Sequence, residues 1–509
     1  MRMLLILAFP LMTATLTAAD DPTVHYYGFT GEPVELRRVD DGSTPWPVVS
    51  RGATPMPLTG RIGLKRDGAD RIEFVELAPG SDPFAEARRL AEKPGVRWAQ
   101  PEWLVKVRPL AAPHDPYYPR EWHLDQLGAA AAWEITAGSP HTAVAVVDSG
   151  VDRAHPDLDA NLDAGKDLTG SGSTDCDRPA SGGDASLIAA HGTCVAGLIA
   201  AEKNNGVGIA GICPLCRVIP VKLLRYDETM IPVSRIYDAI VAAVDAGADI
   251  VNNSWGDEDT DAAGNCIAVP LDSYRAEAIR YAREHGRAGR GALTVWAAGN
   301  SSCDAALNEN LKLPDILVVS ALAADDAFTG YSNYGDPVDL CAGAANWTTD
   351  ITGRDGINDR LAAGPTGAYD HTNQFSGTSA AAAVLSGVGG LLYSANPLLF
   401  FAEALTCLRE HTIAPTADCP AGGWTSSSGD PYAPEGAQRS PCFGFGLPDI
   451  EALLSGARDG SCGLVYDGCD TDAACGAGFT CDTVRRECRK TLQPERPAAS
   501  GGCALVIMG

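Results

Sequence analysis

Three polar residues in this sequence have the types that nucleophilic catalysis requires. Ser379 precedes a long run of Ala, Val, Leu and Gly, Asp148 ends the apolar run TAVAVVD, and His191 opens the run HGTCVAGLIAA. A serine hydroxyl is a weak nucleophile, so it needs a base to take its proton, a carboxylate to orient that base, and donors for the oxyanion that forms. These three residues would supply the nucleophile, the base and the carboxylate.

Each of the three also has an ordinary explanation when it is taken alone. Asp-Ser-Gly after a strand is a common turn, a histidine at a helix start is a cap or a surface group, and Gly-Thr-Ser before a helix is a common N-cap. The first turn of a helix, however, has unpaired N–H groups and the positive end of the helix dipole, which favour developing negative charge at Ser379. Their joint occurrence in one domain favours a shared site.

The elements that must position these residues alternate along residues 113–457. Apolar strand-like runs are each followed by a helical run: TAVAVVD by HGTCVAGLIAA, RVIPVKLL by IPVSRIYDAIVAAVDAG, and DIVNNS by LDSYRAEAIRYAREHG; ALTVWAAGN and DILVVSAL continue the series. Strands that are apolar throughout predict an α/β fold with a mostly parallel sheet and helices on both faces. Catalytic groups in such sheets gather at the carboxyl ends of the strands.

The N-terminal segment, residues 1–19, has the features of a secretory signal peptide. It contains one Arg, an apolar run from Leu4 to Leu16 and small residues before Asp20. A buried N-terminal strand is the alternative. Because no other stretch approaches the roughly 18 apolar residues that a membrane helix needs, we expect a secreted mature protein without a transmembrane segment.

Residues 20–112 predict a small α+β unit. The strand-like runs RIEFVEL and WLVKV flank one helical stretch, which begins with Asp82 as N-cap and Pro83 at the first helical position and ends at Pro94-Gly95. The Pro- and Ala-rich stretch PLAAPHDPYYP that follows is typical of a linker exposed to cleavage.

Cysteine usage predicts disulfides. The chain has 16 cysteines, and in an exported protein an even number usually indicates a disulfide framework. Residues 458–492 are rich in Cys and poor in aliphatic residues, which predicts a module held by disulfides, and residues 493–509 form a linker and a short apolar tip. Cys213 and Cys216 could pair as a tight loop; their spacing also suits half a zinc site, but nothing completes it. Cys194 is expected in a disulfide or as a buried thiol.

The net charge of −26 argues against nucleic acid as a partner, because phosphates would be repelled. Excess carboxylates suit divalent cations, especially Ca²⁺. We expect a monomer.

The motifs VVDSGVDRAHPDL, HGTCVAGLIAA, NNSWG, AAGN and FSGTSAAAA, in that order, resemble the subtilase family of secreted serine proteases, in its thermitase-like branch. The resemblance covers about residues 113–455 and implies a subtilisin-like fold. It also implies that Asp148 is the orienting acid, His191 the general base and Ser379 the nucleophile. Asn300 would supply the side-chain amide of the oxyanion hole, together with the backbone N–H of Ser379. The chain departs from the family at Ala380–Ala383, where Met and Pro are common.

The resemblance also implies a substrate-binding surface. One segment would pair with the substrate backbone, as an added strand does, and another would form the facing wall of the first specificity pocket. The residues are Ser254, Trp255 and Gly256 in the first segment and Ala297, Ala298 and Gly299 in the second. Trp255 is larger than the Leu common at its position, and both a packing role and a substrate contact remain open.

A calcium site follows from the same likeness. HDPYYP, HPDL and NNGVGIAG are similar to the pieces that bind calcium in thermitase-like members, and ordinary loop caps are the alternative. The implied ligands are side-chain oxygens of Asp115, Asp157 and Asn205 and backbone carbonyls of Glu202, Val207 and Ile209.

The helical stretch and the strand after it in residues 20–112 resemble the end of subtilase propeptides, which act as folding aids and intramolecular inhibitors. Self-cleavage is then expected within residues 106–116. The resemblance as a whole implies a secreted serine endopeptidase that hydrolyses peptide bonds of protein or peptide substrates through an acyl-enzyme and is made as a zymogen. Two alternatives remain: a catalytically silent binding protein on the same scaffold, and a processing protease selective for basic residues.

Overall fold

The computed structural model of the chain describes two compact units, which divide at residues 109 and 110. The described residues are 23–27, 33–39, 48–51, 54–103, 113–178, 184–463, 479–482 and 487–490, with gaps at 68, 70, 79, 229, 345, 354, 358–368, 427–432 and 435. The predicted signal peptide and most of the predicted cleavage stretch and Cys-rich tail lie outside them.

The described part of the first unit contains an antiparallel sheet and one helix, as the sequence predicts. The strands are β1 (Thr23–Tyr27), β2 (Pro33–Val39), β3 (Val48–Arg51), β4 (Thr54–Arg66), β5 (Glu73–Glu76) and β6 (Val96–Trp103), and the helix is α1 (Pro83–Ala91). Asp82 caps α1, since its Oδ1 accepts from the N–H groups of Phe84 at 2.9 Å and Ala85 at 3.2 Å. The buried face of α1 packs on β4.

The second unit is built on a seven-stranded sheet in which all neighbouring strands are parallel. Its strands, in chain order, are β7 (Ala143–Asp148), β8 (Lys166–Asp167), β9 (Arg217–Lys222), β10 (Ile250–Asn253), β11 (Leu293–Ala297), β12 (Leu317–Leu322) and β13 (Leu340–Gly343). Their order across the sheet is β13-β12-β11-β10-β7-β9-β8. The prediction of a parallel sheet is confirmed. Because β11, β10 and β7 are parallel neighbours, their carboxyl ends lie together at one edge of the sheet.

Eight α-helices lie in the described part of this unit. They are α2 (Trp122–Gln126), α3 (Ala129–Ile135), α4 (Asp184–Ala200), α5 (Val233–Asp245), α6 (Ser273–Gly289), α7 (Thr378–Ala395), α8 (Phe401–Glu410) and α9 (Ile450–Asp459). Four two-stranded sheets also occur in the described residues: β14 (Asn346–Thr349) with β15 (His371–Phe375), β16 (Thr412–Ile413) with β19 (Leu447–Pro448), β17 (Thr425–Ser426) with β18 (Gln438–Arg439), and β20 (Phe479–Asp482) with β21 (Glu487–Lys490).

The alternation of side chains along β7 explains why the strand is apolar throughout. Val144 and Val146 belong to the core that α4 and α7 cover, whereas Ala145 and Val147 belong to the core that α5 and α6 cover. Because successive side chains point to opposite faces, a strand that is buried on both faces has no polar position. Asp148, at the end of β7, is the first polar residue of the strand.

Helix α4 begins at Asp184, seven residues before the start that the sequence predicts. The segment ASLIAA that precedes His191 contains no helix-breaking residue, so the helix continues through it. The prediction that His191 stands at the start of this helix is therefore wrong, and His191 lies in its middle.

Helix α7 is, among the described residues, long and apolar enough to cross a membrane, but it is buried inside the unit. Its glycines allow close packing: a Cβ on Gly389 would lie 3.1 Å from Leu293 and 3.3 Å from Ile250, and one on Gly387 would lie 2.6 Å from the Ile212 Cβ. The apolar composition of α7 is therefore explained by its position in the core.

Four disulfides occur in the described residues: Cys213–Cys216, Cys266–Cys303, Cys407–Cys462 and Cys419–Cys442. The first confirms the predicted tight pair. Cys462, which the sequence assigns to the tail module, instead joins the segment after α9 to α8. Cys194 is a buried thiol, and burial raises its pKa well above the ordinary value, so a second nucleophile at this position is not supported.

Candidate active site

The carboxylate of Asp148 and the imidazole of His191 form a direct pair. Nδ1 of His191 lies 2.9 Å from Oδ2 and 3.0 Å from Oδ1 of Asp148. Asp148 is fully buried at the end of β7, and its Oδ1 also accepts from the N–H of Ser149 at 2.7 Å. The carboxylate is thereby fixed, and it directs Nε2 of the imidazole away from itself.

Close packing of α4 on the end of β7 produces this contact. A Cβ on Gly192 would collide with the backbone oxygen of Gly150, so only glycine permits the approach. The hydroxyl of Ser149 donates to the carbonyl of Ala189 at 3.2 Å and accepts from the N–H of Gly192 at 3.1 Å. The turn after β7 and the helix are thus held together on both sides of His191.

The surroundings of His191 determine its protonation. Burial is the largest influence and lowers the pKa of His191, but the charge and hydrogen bond of Asp148 together outweigh it, so the pKa is raised above the ordinary 6.5. The ring of Phe375 in β15 meets the imidazole edge-on, with the centroids 5.2 Å apart. The imidazole keeps an exposed fraction of 22%, which leaves it open to a bound molecule.

Ser379 lies in the first turn of α7, as the sequence predicts. Its Oγ donates to the backbone oxygen of Ser254 at 2.7 Å, and the Oγ of Ser254 donates to the backbone oxygen of Ser379 at 2.9 Å. These reciprocal bonds join α7 to the segment after β10. Within the described part of the chain, the Ser379 hydroxyl therefore donates to a carbonyl oxygen and not to His191.

Asn300 lies just after β11 and is oriented by the start of α7. Its Oδ1 accepts from the N–H of Thr378 at 2.9 Å and from the Thr378 hydroxyl at 3.0 Å. Its amide nitrogen faces Gly377, where an added Cβ would lie 3.1 Å away. Neither this amide group nor the N–H of Ser379 donates to any described residue, and Asn300 is exposed. Two neighbouring donors are thus open.

The two predicted substrate segments follow neighbouring strands. Ser254–Gly256 continues from β10 and Ala297–Gly299 from the end of β11, and these strands pair directly. Gly256 is exposed, and a Cβ added there would meet no atom within 4 Å. The structure therefore leaves open space beside the first segment.

Trp255 has a packing role. Its Nε1 donates to the backbone oxygen of Val147 at 2.8 Å, and its ring meets the ring of Trp296 with the centroids 4.9 Å apart. The indole thus covers the ends of β7 and β11. Because Trp255 is only partly buried, its contact with substrate stays a prediction.

Asp115 and Asp157, two predicted calcium ligands, lie on different segments but contact the same loop, residues 202–209. The carboxylate of Asp115 accepts from the N–H groups of Asn204 at 2.7 Å and Gly206 at 3.2 Å. Oδ1 of Asp157 accepts from the side-chain amide of Asn205 at 2.7 Å. The loop 202–209 and both carboxylates are therefore brought together.

Asn205 departs from the predicted ligand set. Its side-chain oxygen accepts from the N–H of Val207 at 2.7 Å, so its amide nitrogen, not its oxygen, faces Asp157. The other oxygen of Asp157 accepts from the N–H of Ile209 and from Nε2 of His371, both at 3.0 Å. The prediction of Asn205 as an oxygen ligand is not met in this orientation, and the contact with His371 was not predicted.

The rest of the donor set fits a calcium ion. No described residue donates a hydrogen bond to the three backbone oxygens that the likeness assigns as ligands, those of Glu202, Val207 and Ile209. Asp115 and Asp157 are buried. Burial raises the pKa of Asp115, and it raises the pKa of the nearby Glu121 well above its ordinary value, with the charges of Asp157 and Asp115 adding to the effect. Oxygen donors and buried negative charge are what Ca²⁺ requires.

Sequence reasoning missed two residues that support the site. Thr378 orients Asn300, and Ser149 joins the turn after β7 to α4. Both lie inside motifs that contain a predicted catalytic residue. Their position next to that residue is the signal in the sequence that could have identified them. Their roles depend on contacts between segments that are distant in the sequence.

Comparisons with known proteins agree with this geometry. A sequence profile of the Subtilase family matches residues 139–439. The chain is 32% identical over 308 residues to the thermophilic serine proteinase of Bacillus sp. (strain AK1), covering 59% of this chain and 66% of that protein. It is 28% identical over 428 residues to the calcium-dependent protease of Nostoc sp. (strain PCC 7120 / SAG 25.82 / UTEX 2576), covering 76% of this chain and 59% of that protein.

Thermitase of Thermoactinomyces vulgaris is 30% identical over 283 residues, covering 55% of this chain and 85% of thermitase. Among solved structures, the serine protease of Aeromonas sobria in complex with its chaperone matches with a TM-score of 0.58 at 23% identity, covering 68% of this chain and 67% of that one. A likeness at that identity shows the fold, with its parallel sheet and flanking helices.

Proposed function

The chain belongs to the subtilase family, and from that premise we propose that it is a secreted serine endopeptidase that hydrolyses peptide bonds through an acyl-enzyme. The observation that carries this proposal is the Asp148–His191 pair at the same sheet edge as Ser379 and two open N–H donors. The match spans 66% of the length of the thermophilic serine proteinase and 59% of the length of the calcium-dependent protease. The activity of this chain is therefore inferred from its own site.

The proposed reaction begins when Ser379 exchanges its bond to Ser254 for one to Nε2 of His191. This exchange requires the Ser379 hydroxyl to turn from Ser254 toward the imidazole, and catalytic hydrogen bonds commonly form only when substrate is present. His191 takes the hydroxyl proton as Oγ bonds to the carbonyl carbon, and it returns that proton to the amine that leaves. Water then attacks the acyl-enzyme by the same route and releases the acid.

The carboxylate of Asp148 accepts a hydrogen bond from Nδ1 and stabilises the imidazolium that forms. Asn300 and the N–H of Ser379 donate to the oxyanion. Because Thr378 already holds the Asn300 oxygen, the amide nitrogen is oriented before substrate arrives, which is the condition for strong electrostatic stabilisation.

Maturation is the second part of the proposal. Residues 1–19 direct export, and residues 20–112 act as an inhibitory propeptide that the enzyme removes by cutting within residues 106–116. The separation of residues 1–109 as their own compact unit and the disulfides of the second unit, which persist in oxidising compartments, support this part. We expect N-terminal sequencing of the secreted wild type to begin within residues 106–116 and that of Ser379→Ala to begin near residue 20. A wild type that keeps residues 20–112 would contradict self-processing.

A structural calcium ion is the third part. Asp115 and Asp157, with the backbone oxygens of Glu202, Val207 and Ile209, would hold it and fix the loop 202–209. The ion would supply charge balance for the buried carboxylates and would take no part in the reaction.

A further inference from the structure

Asn252 is a fully buried polar residue of β10 that lies among apolar neighbours. It pairs with Val146 of β7 and Val295 of β11, and both belong to the core that α4 and α7 cover. Ile250, two residues earlier and therefore on the same face of β10, belongs to that core too. Because a buried amide costs free energy unless hydrogen bonds satisfy it, the partners of Asn252 must account for its position.

The side-chain amide of Asn252 is hydrogen-bonded on both sides. Its Nδ2 donates to the Oγ of Ser386 in α7 at 2.9 Å, and its Oδ1 accepts from the Oγ of Ser254 at 3.0 Å. The Ser254 hydroxyl shares its hydrogen with the backbone oxygen of Ser379, 2.9 Å away. Since the Oγ of Ser386 donates to the backbone oxygen of Ala382 at 2.8 Å, it must accept from Asn252. One amide thus joins β10 to α7 and to the residue that contacts the nucleophile.

Ser379 and Ser386 lie on nearly the same side of α7, because they are about two helical turns apart. Ser254 holds the first turn of the helix and Asn252 holds the third, so a shift of α7 along its axis would break both contacts. Between these contacts the helix presents the four buried residues Ala380–Ala383. Ridges of Ala are shallow and specify axial position less than large side chains do, whereas a hydrogen bond holds only over a narrow range of distance.

We propose that Ser386 and Asn252 are positioning residues for the nucleophile, an inference that rests on the proposed protease function. Their hydrogen bond fixes α7 along its axis against β10, and this places the Oγ and N–H of Ser379 relative to His191 and Asn300. Neither side chain touches substrate, because both are fully buried. Buried polar pairs specify register in other packed helices, and a misplacement of reacting groups by about 1 Å can lower a rate about a hundredfold.

The test replaces Ser386 by Ala, which removes one hydroxyl from a helix that is already rich in Ala. We measure kcat and KM of the purified full chain on one peptide p-nitroanilide that the wild type cleaves, and divide each rate by the concentration of active sites titrated with a fluorophosphonate. We expect kcat to fall about tenfold or more. KM should change less than about threefold, because the transition state requires closer alignment than substrate binding does. A kcat within about threefold of the wild type would overturn the inference.

Ser320→Ala is the matched control for loss of a buried hydroxyl. Ser320 in β12 is also fully buried, and its Oγ donates to the backbone oxygen of Cys442 at 2.6 Å, so the substitution removes a buried hydrogen bond that does not involve α7. We expect its kcat to stay within about threefold of the wild type, although its Tm falls. An equal fall of kcat in Ser320→Ala and Ser386→Ala would mean that lost stability, and not the position of α7, lowers the rate, which would overturn the inference.

A double variant, Asn252→Val with Ser386→Ala, separates stability from positioning. It leaves no buried amide unpaired, so its Tm should recover relative to Ser386→Ala, while its kcat should stay as low because no bond fixes α7. Recovery of kcat together with Tm would overturn the inference. Wild type that the fluorophosphonate does not label would refute the proposed function and this inference with it, whereas labelled wild type beside an unaffected Ser386→Ala would overturn only the positioning role.

Discussion

Replacement of Asn300 by Ala tests the oxyanion hole most sharply, because its amide is one of the two donors that we identify there among the described residues. The substitution removes one of them and leaves the N–H of Ser379. Loss of one such donor lowers kcat by about a hundredfold to a thousandfold, or about 2.7–4 kcal/mol of transition-state stabilisation. The carbonyl oxygen of a bound substrate carries little charge, so KM should change by less than about threefold.

The same substitution also removes the acceptor of two Thr378 donors. Since Thr378 is fully buried, this costs about 1–3 kcal/mol of folding free energy, and rates must be normalised to titrated active sites in folded protein. Thr378→Val is the matched control, because it removes the hydroxyl that orients Asn300 and keeps the amide; we expect a loss of less than about tenfold. A kcat for Asn300→Ala within threefold of the wild type would refute the role of this residue.

Three further predictions concern pH, calcium and oxidation. The base must be neutral to accept a proton, and Asp148 raises the pKa of His191, so kcat/KM of the wild type should rise with pH through a midpoint above 6.5. In Asp148→Asn only the lowering effect of burial on this pKa remains, so the midpoint should shift to lower pH while the plateau of kcat/KM falls by about 10⁴. An unshifted midpoint would contradict the assignment. Removal of calcium by a chelator should lower the Tm by about 5 °C if the ion is held at a hundred times its Kd, as measured by calorimetry with and without Asp157→Asn; equal Tm values in calcium and in chelator would count against the site. Because Ala380 follows the nucleophile and no Met lies beside it, turnover should survive dilute hydrogen peroxide, and rapid loss of activity accompanied by oxidation near Ser379 in a peptide map would show the reasoning to be wrong.

Much of the architecture follows from local patterns in the sequence. Apolar strands alternating with helical runs predict the parallel sheet, and the cap Asp82 with Pro83 predicts the start of α1. The start of α4 was missed because the segment before His191 carries no stop or start signal that distinguishes it from the helix itself. Cys462 was assigned to the tail because spacing does not specify disulfide partners.

The types and order of the site residues could be predicted, but their orientations could not. Asp148, His191, Ser379 and Asn300 lie within recognisable motifs. The bond between Ser379 and Ser254, the amide of Asn205 that faces Asp157, and the packing of Trp255 on Trp296 all depend on tertiary contacts.

The most direct test of the central claim, that Asp148, His191 and Ser379 act as one catalytic unit, is mass spectrometric mapping of the purified protein after reaction with a fluorophosphonate. We predict a single adduct in the wild type, located on Ser379, and little or no adduct under the same conditions in His191→Ala. An unlabelled wild type, or labelling of Ser379 at the same rate in His191→Ala, would contradict the claim.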